Sequence, residues 1–164
     1  MPRSFAVIGW FAVILILTAT TAALAQKDPV AVQQQLFEAL ARGDVAGALA
    51  LFTDDAVIDA PSGPCMLAPC VGKAAIQKDL ERLVADHSRR VTPLKTYVAN
   101  NLVVTQLEAS SDTIRKAGVD RIVVWAIREM RGDKIAAIRC CLPERTDPQT
   151  ARFLEWERAH VPIQ

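Results

Sequence analysis

Acid–base chemistry needs a group that titrates near neutral pH, or a carboxylate that its surroundings shift there, and the chain offers two places to look. Asp59 stands in the short run Ala56-Val57-Ile58-Asp59-Ala60, and His87, one of two histidines, sits beside Ser88-Arg89-Arg90. Converging in one pocket, they could form a non-standard site of cyclase, isomerase or dehydratase type. Each also has a plainer role. Asp59 reads equally as a solvent-facing or paired carboxylate, and His87 as a charge that suits the C-terminal end of a helix. His160, close to the chain end, is given no role.

Binding chemistry points to two other residues. Trp125 lies in Arg121–Arg131, a stretch with apolar residues on both faces, which places it in a pocket wall or in ordinary core. Arg139 is surrounded by Ala136, Ala137, Ile138 and Cys140. A partly buried arginine there needs an anionic ligand or an acidic partner such as Asp59. There is no Gly-rich phosphate loop and no Ser/His/Asp grouping. With two histidines and no C-x-x-C spacing, neither a metal nor a cofactor is expected. Arg131-Gly132-Asp133 is explained by a tight hairpin turn.

Four cysteines are present. Cys65 and Cys70 can close a short loop, which a chain-entropy argument values at roughly 2 kcal/mol. Cys140 and Cys141 are neighbours in an extended stretch, where side chains alternate between faces, so they should point apart and bridge each other only with strain. The full connectivity is left open. Disulfides fit the start of the chain: Met1-Pro2-Arg3-Ser4, an apolar run from Phe5 to Leu17, and Ala23-Leu24-Ala25 before Gln26. That is the order of a signal peptide, residues 1–25, cleaved after Ala25, with a periplasmic or secreted product. The alternative is an uncleaved anchor, since about 20 uncharged residues can span a bilayer. The small, polar-leaning Thr18–Ala25 favours cleavage, which leaves no membrane attachment. Cleavage also removes Arg3, so 18 basic side chains face 18 acidic ones. A neutral surface gives no electrostatic reason to expect nucleic acid or anionic membranes as partners.

These residues have to be positioned by elements that the periodicity predicts. Asp28-Pro29 starts a helix with Val32, Leu36, Phe37 and Leu40 on one face, ending at Gly43. Asp44 starts a second with Val45, Ala48, Leu49 and Phe52 on one stripe. Ala56–Ala60 reads as a strand, residues 61–72 as a loop or loose hairpin, and 73–87 as a third helix. After Pro93 the pattern turns extended: 95–108, 120–130 and 134–142 form long antiparallel strands, the last two around the Gly132 turn, with Asn100 and Asn101 as turn or edge residues. A helical tail begins at Asp147-Pro148. Helices followed by sheet argue an α+β domain with helices on one face of a curved antiparallel sheet. Residues 26–145 form the domain and 146–164 the tail.

That element order, with Ala41-Arg42-Gly43-Asp44 leading to Phe52-Thr53-Asp54-Asp55-Ala56-Val57, and then Gly72-Lys73-Ala74-Ala75-Ile76, resembles the nuclear transport factor 2-like, or SnoaL-like, superfamily. The resemblance implies a cone: a bent sheet wrapped by N-terminal helices around an apolar pocket. Fold does not carry function here, because members include isomerases, cyclases, dehydratases and binding modules. The position of the isomerase base is Ala60, and the positions of the two oxyanion donors are near Leu36 and Val124, so none of the three roles is filled. What remains is a binding module for a small apolar or amphipathic molecule, an enzyme built on Asp59 and His87, or a dimeric interaction scaffold. Pairing through the sheet, as in many members, implies a homodimer.

Non-reducing peptide mapping of protein recovered from an oxidising compartment is expected to join Cys65 to Cys70 in a chain that starts at Gln26. Four free thiols would overturn either the export or that pairing.

Overall fold

The computed structural model describes residues 28–60, 65 and 68–160. The expected leader at residues 1–25 and part of the 61–72 loop fall outside them. Helix α1 (Pro29–Ala41) begins as its sequence dictates, with the Asp28 carboxylate accepting from the Val30 amide and Pro29 in the first turn. Gly43, at φ 73°, makes the left-handed turn that ends it. Asp44 then caps α2 (Val45–Ala50), its carboxylate accepting from the Gly47 amide at 2.7 Å. The Gly-Asp pair of the family-like motif is therefore a stop followed by a start.

Strand β1 (Phe52–Asp59) opens earlier than periodicity predicts. Phe52, expected on the stripe of α2, is its first residue and is fully buried. Hydrophobicity at helical spacing could not distinguish these placements, because the α2 stripe and the inner face of β1 drain into one core. After β2 (Cys70–Val71), Gly72 with φ 78° turns the chain into α3 (Lys73–Ala85). The Asp54 carboxylate meets Lys73 Nζ at 2.7 Å, and Asp55 meets Arg131 Nη1 at 2.8 Å. Both carboxylates are held below their ordinary range, chiefly by the hydrogen bonds from those two cations. The two aspartates of the motif thus pin the outside of β1, while Phe52 and Ala56 fill the inside.

The extended stretch at 95–108 is two strands, β3 (Arg90–Ala99) and β4 (Leu102–Ser110), hinged at Asn100, which adopts φ 54°. Asparagine tolerates that left-handed conformation better than most residues. A short α4 (Asp112–Lys116), capped by Ser111, leads to β5 (Ile122–Arg131) and β6 (Lys134–Pro143), and α5 (Pro148–His160) closes the described chain. The strands form one curved, unclosed sheet in the order β2-β1-β6-β5-β4-β3. Every neighbouring pair is antiparallel except β1 with β6, which is parallel and joins the first and last strands in its interior. The fold is the expected α+β cone.

The core lies between α1–α3 and the inner sheet face, where Val32, Phe52, Ile76, Leu80, Val103 and Ile135 are almost wholly buried. On β5 the inward residues are the even ones, Val124, Ala126, Arg128 and Met130, all buried. Cys65 and Cys70 are joined by a disulfide and belong to this core. Cys140 and Cys141 depart from the expected alternation. Between Trp125 and Ile127 the partner strand runs from Leu142 to Arg139, so β6 carries one residue too many opposite Ala126. That bulge brings both cysteines to the inner side, and their sulfurs are bonded to each other.

Helix α5 is tied to β5 by one buried hydroxyl. Thr150 Oγ1 accepts from the Val123 amide at 2.7 Å and donates to Asp147 Oδ2 at 2.8 Å. Burial opposes the Asp147 charge, but bonds from the Thr150 amide and hydroxyl and from Arg121 outweigh it and hold this carboxyl below its ordinary range. A depressed folded value means that the stabilisation is present above the unfolded carboxylate value and is lost as pH falls through the folded one. Thr150→Val, which leaves the Val123 amide buried without an acceptor, is expected to cost about 1–3 kcal/mol in urea unfolding at neutral pH. As pH falls through the depressed folded value of Asp147 the difference should shrink, because the carboxylate that the Thr150 hydroxyl meets is then protonated. Equal neutral-pH stabilities would show that this tie contributes nothing.

Candidate functional site

A cavity of about 650 Å³ opens between α1, α3 and the inner sheet face. Helix α1 presents Leu36, Phe37 and Leu40 to it, and α3 presents Leu80, Leu83 and Val84. Ile58, Leu107, Ile138 and the Cys140–Cys141 pair complete an apolar wall on the sheet side. The volume falls in the range of sites that hold small molecules. Leu36 and Ala60, two of the positions that matter for isomerase chemistry, do face this space, with apolar side chains. The third, Val124, is buried against Leu107 and Ala126.

Charge enters the cavity at two levels. At the rim, the turn after α3 brings Asp86, His87, Arg89 and Arg90 to the edge. Asp79, itself buried, pairs with Arg82 at 3.0 Å. The Asp86 carboxylate is turned back on its own chain, accepting from the Ser88 hydroxyl and amide, and the hydroxyl bond is the larger cause of its lowered pKa. Arg89 is half-buried, and burial lowers its pKa despite the field of Asp86 and Asp79.

Deeper in lies Arg128, 4% exposed. Its Nη1 donates to Gln33 Oε1 at 2.8 Å, and the same oxygen accepts from Thr105 Oγ1 at 2.7 Å. The guanidinium carbon sits 5.1 Å from the centre of the Phe37 ring. Gln33 and Phe37 are one helical turn apart on α1, so a single face of that helix supplies both a hydrogen-bond acceptor and an aromatic face to the cation. Nε makes no hydrogen bond, and among the described residues no carboxylate pairs with Arg128. Burial pulls its pKa down to about 10, which leaves it charged at neutral pH. One charge-assisted hydrogen bond contributes about 1.5–3 kcal/mol and a desolvated cation–aromatic contact about 2. Removing the ion from water costs several kcal/mol, so the cation is only partly compensated.

The residues singled out from sequence are not gathered in this cavity. His87 lines its rim but is exposed, whereas Asp59 is exposed on β1 and is not a lining residue. Arg139 is exposed as well, paired in register with Ile127 and Asp59, and no ion pair joins it to Asp59. Trp125 shares the outward parity of β5: it stacks on Tyr97 with ring centres 6.2 Å apart, and its indole donates to Glu144 Oε2 at 3.0 Å. His160 stacks on Trp156 in α5. The arginine deep in the cavity is Arg128, which apolar residues on both faces of β5 had hidden. Its signal was parity, the step of two from Ala126 and to Met130, combined with Gln33 on the buried face of α1.

Several solved structures share this architecture. One is a protein described as a polyketide cyclase from Sinorhizobium meliloti, 19% identical, with a TM-score of 0.56 over 66% of this chain and 92% of that one. Another is an NTF2-like protein of unknown function from Mesorhizobium loti, 12% identical, with a TM-score of 0.57 over 70% and 89%. A third, from Burkholderia xenovorans and also of unknown function, is 18% identical with a TM-score of 0.54 over 83% and 94%. At these identities the likeness concerns the fold. No curated protein matches the sequence. The model of the SnoaL-like domain matches residues 33–138, from the glutamine that holds Arg128 to the last inward residue before the β6 bulge, and the chain belongs to that family.

Proposed function

We propose that the protein is an exported binding module that holds a small apolar or amphipathic molecule in its cone. The observation that carries this reading is the cavity of about 650 Å³, whose walls are mainly leucine, phenylalanine, isoleucine and a cystine. Burial of an apolar ligand against such walls releases water from both surfaces, at roughly 25 cal/mol per Å² of apolar area. Binding needs only shape and a few polar contacts. Proton transfer needs a base and a partner in reach of one substrate, and Asp59 and His87 do not share the cavity. Export rests on the leader-like residues 1–25 together with the Cys65–Cys70 cystine, since disulfides persist in oxidising compartments.

A homodimer is favoured by a specific surface. On the outer sheet face Tyr97 is 56% exposed and Leu142 53% exposed, beside Trp125, Val104 and Ile127 in register. Contiguous apolar side chains of this kind mark association surfaces. They lie on the face opposite the cavity, so pairing leaves the binding site open.

Native mass spectrometry of the protein purified from its own host is expected to give a dimer of chains beginning at Gln26, each retaining a small molecule. Saturable uptake of the neutral fluorophore 1-aminoanthracene by emptied protein is the companion measurement. An empty protein that also refuses the fluorophore would overturn the binding reading, and a monomer at micromolar concentration would overturn the dimer.

A further inference from the structure

Resting on that binding reading, we infer that the ligand is an apolar carboxylic acid whose carboxylate is received by the guanidinium of Arg128 while its hydrocarbon body lies along Leu36, Leu40 and Leu83. Three observations converge on this. A guanidinium offers five N–H donors in a planar fork, and the fork here is only partly used: Nη1 is held by Gln33 and Nε has no partner. Nε, on the side of the fork that meets a carboxylate with two parallel hydrogen bonds, has almost no accessible surface, so the acid must open the wall around it to use that side. The residue lines the cavity, so an occupant and this cation share one space.

The second observation is the balance of charge around that space. Arg82, Arg89, Arg90 and Arg128 line it, against Asp79 and Asp86. Asp79 is occupied by Arg82, and Asp86 by the Ser88 hydroxyl and amide. The wall therefore carries a net positive field, which draws anions and repels cations, most strongly where water is excluded. The third is the character of the wall deep in the cavity. There Arg128 is the one buried cation among apolar side chains, with Arg89 and Arg90 out at the rim, and such a place suits a single-headed acid. A phosphate monoester, with close to two charges and three strongly accepting oxygens, would leave most of its head unsatisfied.

Gln33 supplies a sharp control, because Gln33→Glu changes almost nothing in shape. It sets a carboxylate of the protein's own where Oε1 now accepts from Arg128 at 2.8 Å and from Thr105 at 2.7 Å. The cation then has an internal partner and no longer favours an external one. Arg128→Met removes the charge and keeps an apolar filler, a replacement that buried ionic groups often tolerate.

The probes are decanoate and 1-decanol, of matched chain length, titrated by calorimetry at pH 8, where the acid is ionised. The native protein is expected to bind decanoate about ten- to a hundredfold more tightly than the alcohol, the worth of one charge-assisted contact. Both variants should reduce that ratio to near one while still binding 1-decanol. If Arg128→Met fails to fold, Gln33→Glu decides alone. Equal affinity for the two probes in the native protein would overturn the carboxylate inference and leave the binding reading standing. A preference that survives both variants but disappears in Arg89→Gln would overturn it in favour of the rim. Failure of both probes to bind would overturn this inference, and uptake of 1-aminoanthracene by the same protein then decides whether the binding reading stands.

Discussion

The position of α1 on the sheet depends on one side-chain oxygen. Gln33 Oε1 accepts from Thr105 on β4 and from Arg128 on β5, so a single amide joins the helix to two strands. All three residues are at most 4% exposed, where an unmet polar group costs about 1–3 kcal/mol. The arrangement permits no alternative register: sliding α1 by one residue would strand both donors and move Phe37 away from the guanidinium. The cavity wall formed by Leu36, Phe37 and Leu40 inherits its placement from this contact.

On the sheet side, a bulge does the complementary work. Strict alternation along β6 would send one of Cys140 and Cys141 outward. The extra residue opposite Ala126 keeps both facing in, then restores parity so that Leu142 stands beside Trp125 on the outer face. Both cysteines pack against the buried cluster of Leu107, Val124 and Ala126. Cavity wall and outer apolar surface are therefore set by the same local irregularity.

Much of the architecture was legible because it is written in local chemistry. Asp28-Pro29, Gly43-Asp44 and Gly72-Lys73 mark the helix starts and turns, and each makes the cap or positive-φ turn its residue type favours. The order of elements followed from these signals and from a change of period. The polar part of the cavity was much harder to read. Arg139 and Arg128 both sit among apolar neighbours in sequence, and only strand parity separates them. Parity on β6 is broken by the bulge, and on β5 it is masked because Val123, on the outward parity, is also buried, beneath Thr150. Long-range contacts such as Gln33 to Arg128 leave no local trace in a single sequence.

The parallel pairing of β1 with β6 has a consequence in time. Residues 52–59 find their interior neighbour only in residues 134–143, and β2 reaches the rest of the sheet through β1 alone. A chain emerging from the ribosome can form the α1–α2 turn and the β3–β4 hairpin early, but its sheet stays in two unjoined pieces until nearly the whole domain has been made. Throughout that interval Ile58, whose place is against Ile138, has no strand to cover it. Until residues 134–143 are in place, the two pieces of the sheet share no continuous inner face for α1–α3 to cover.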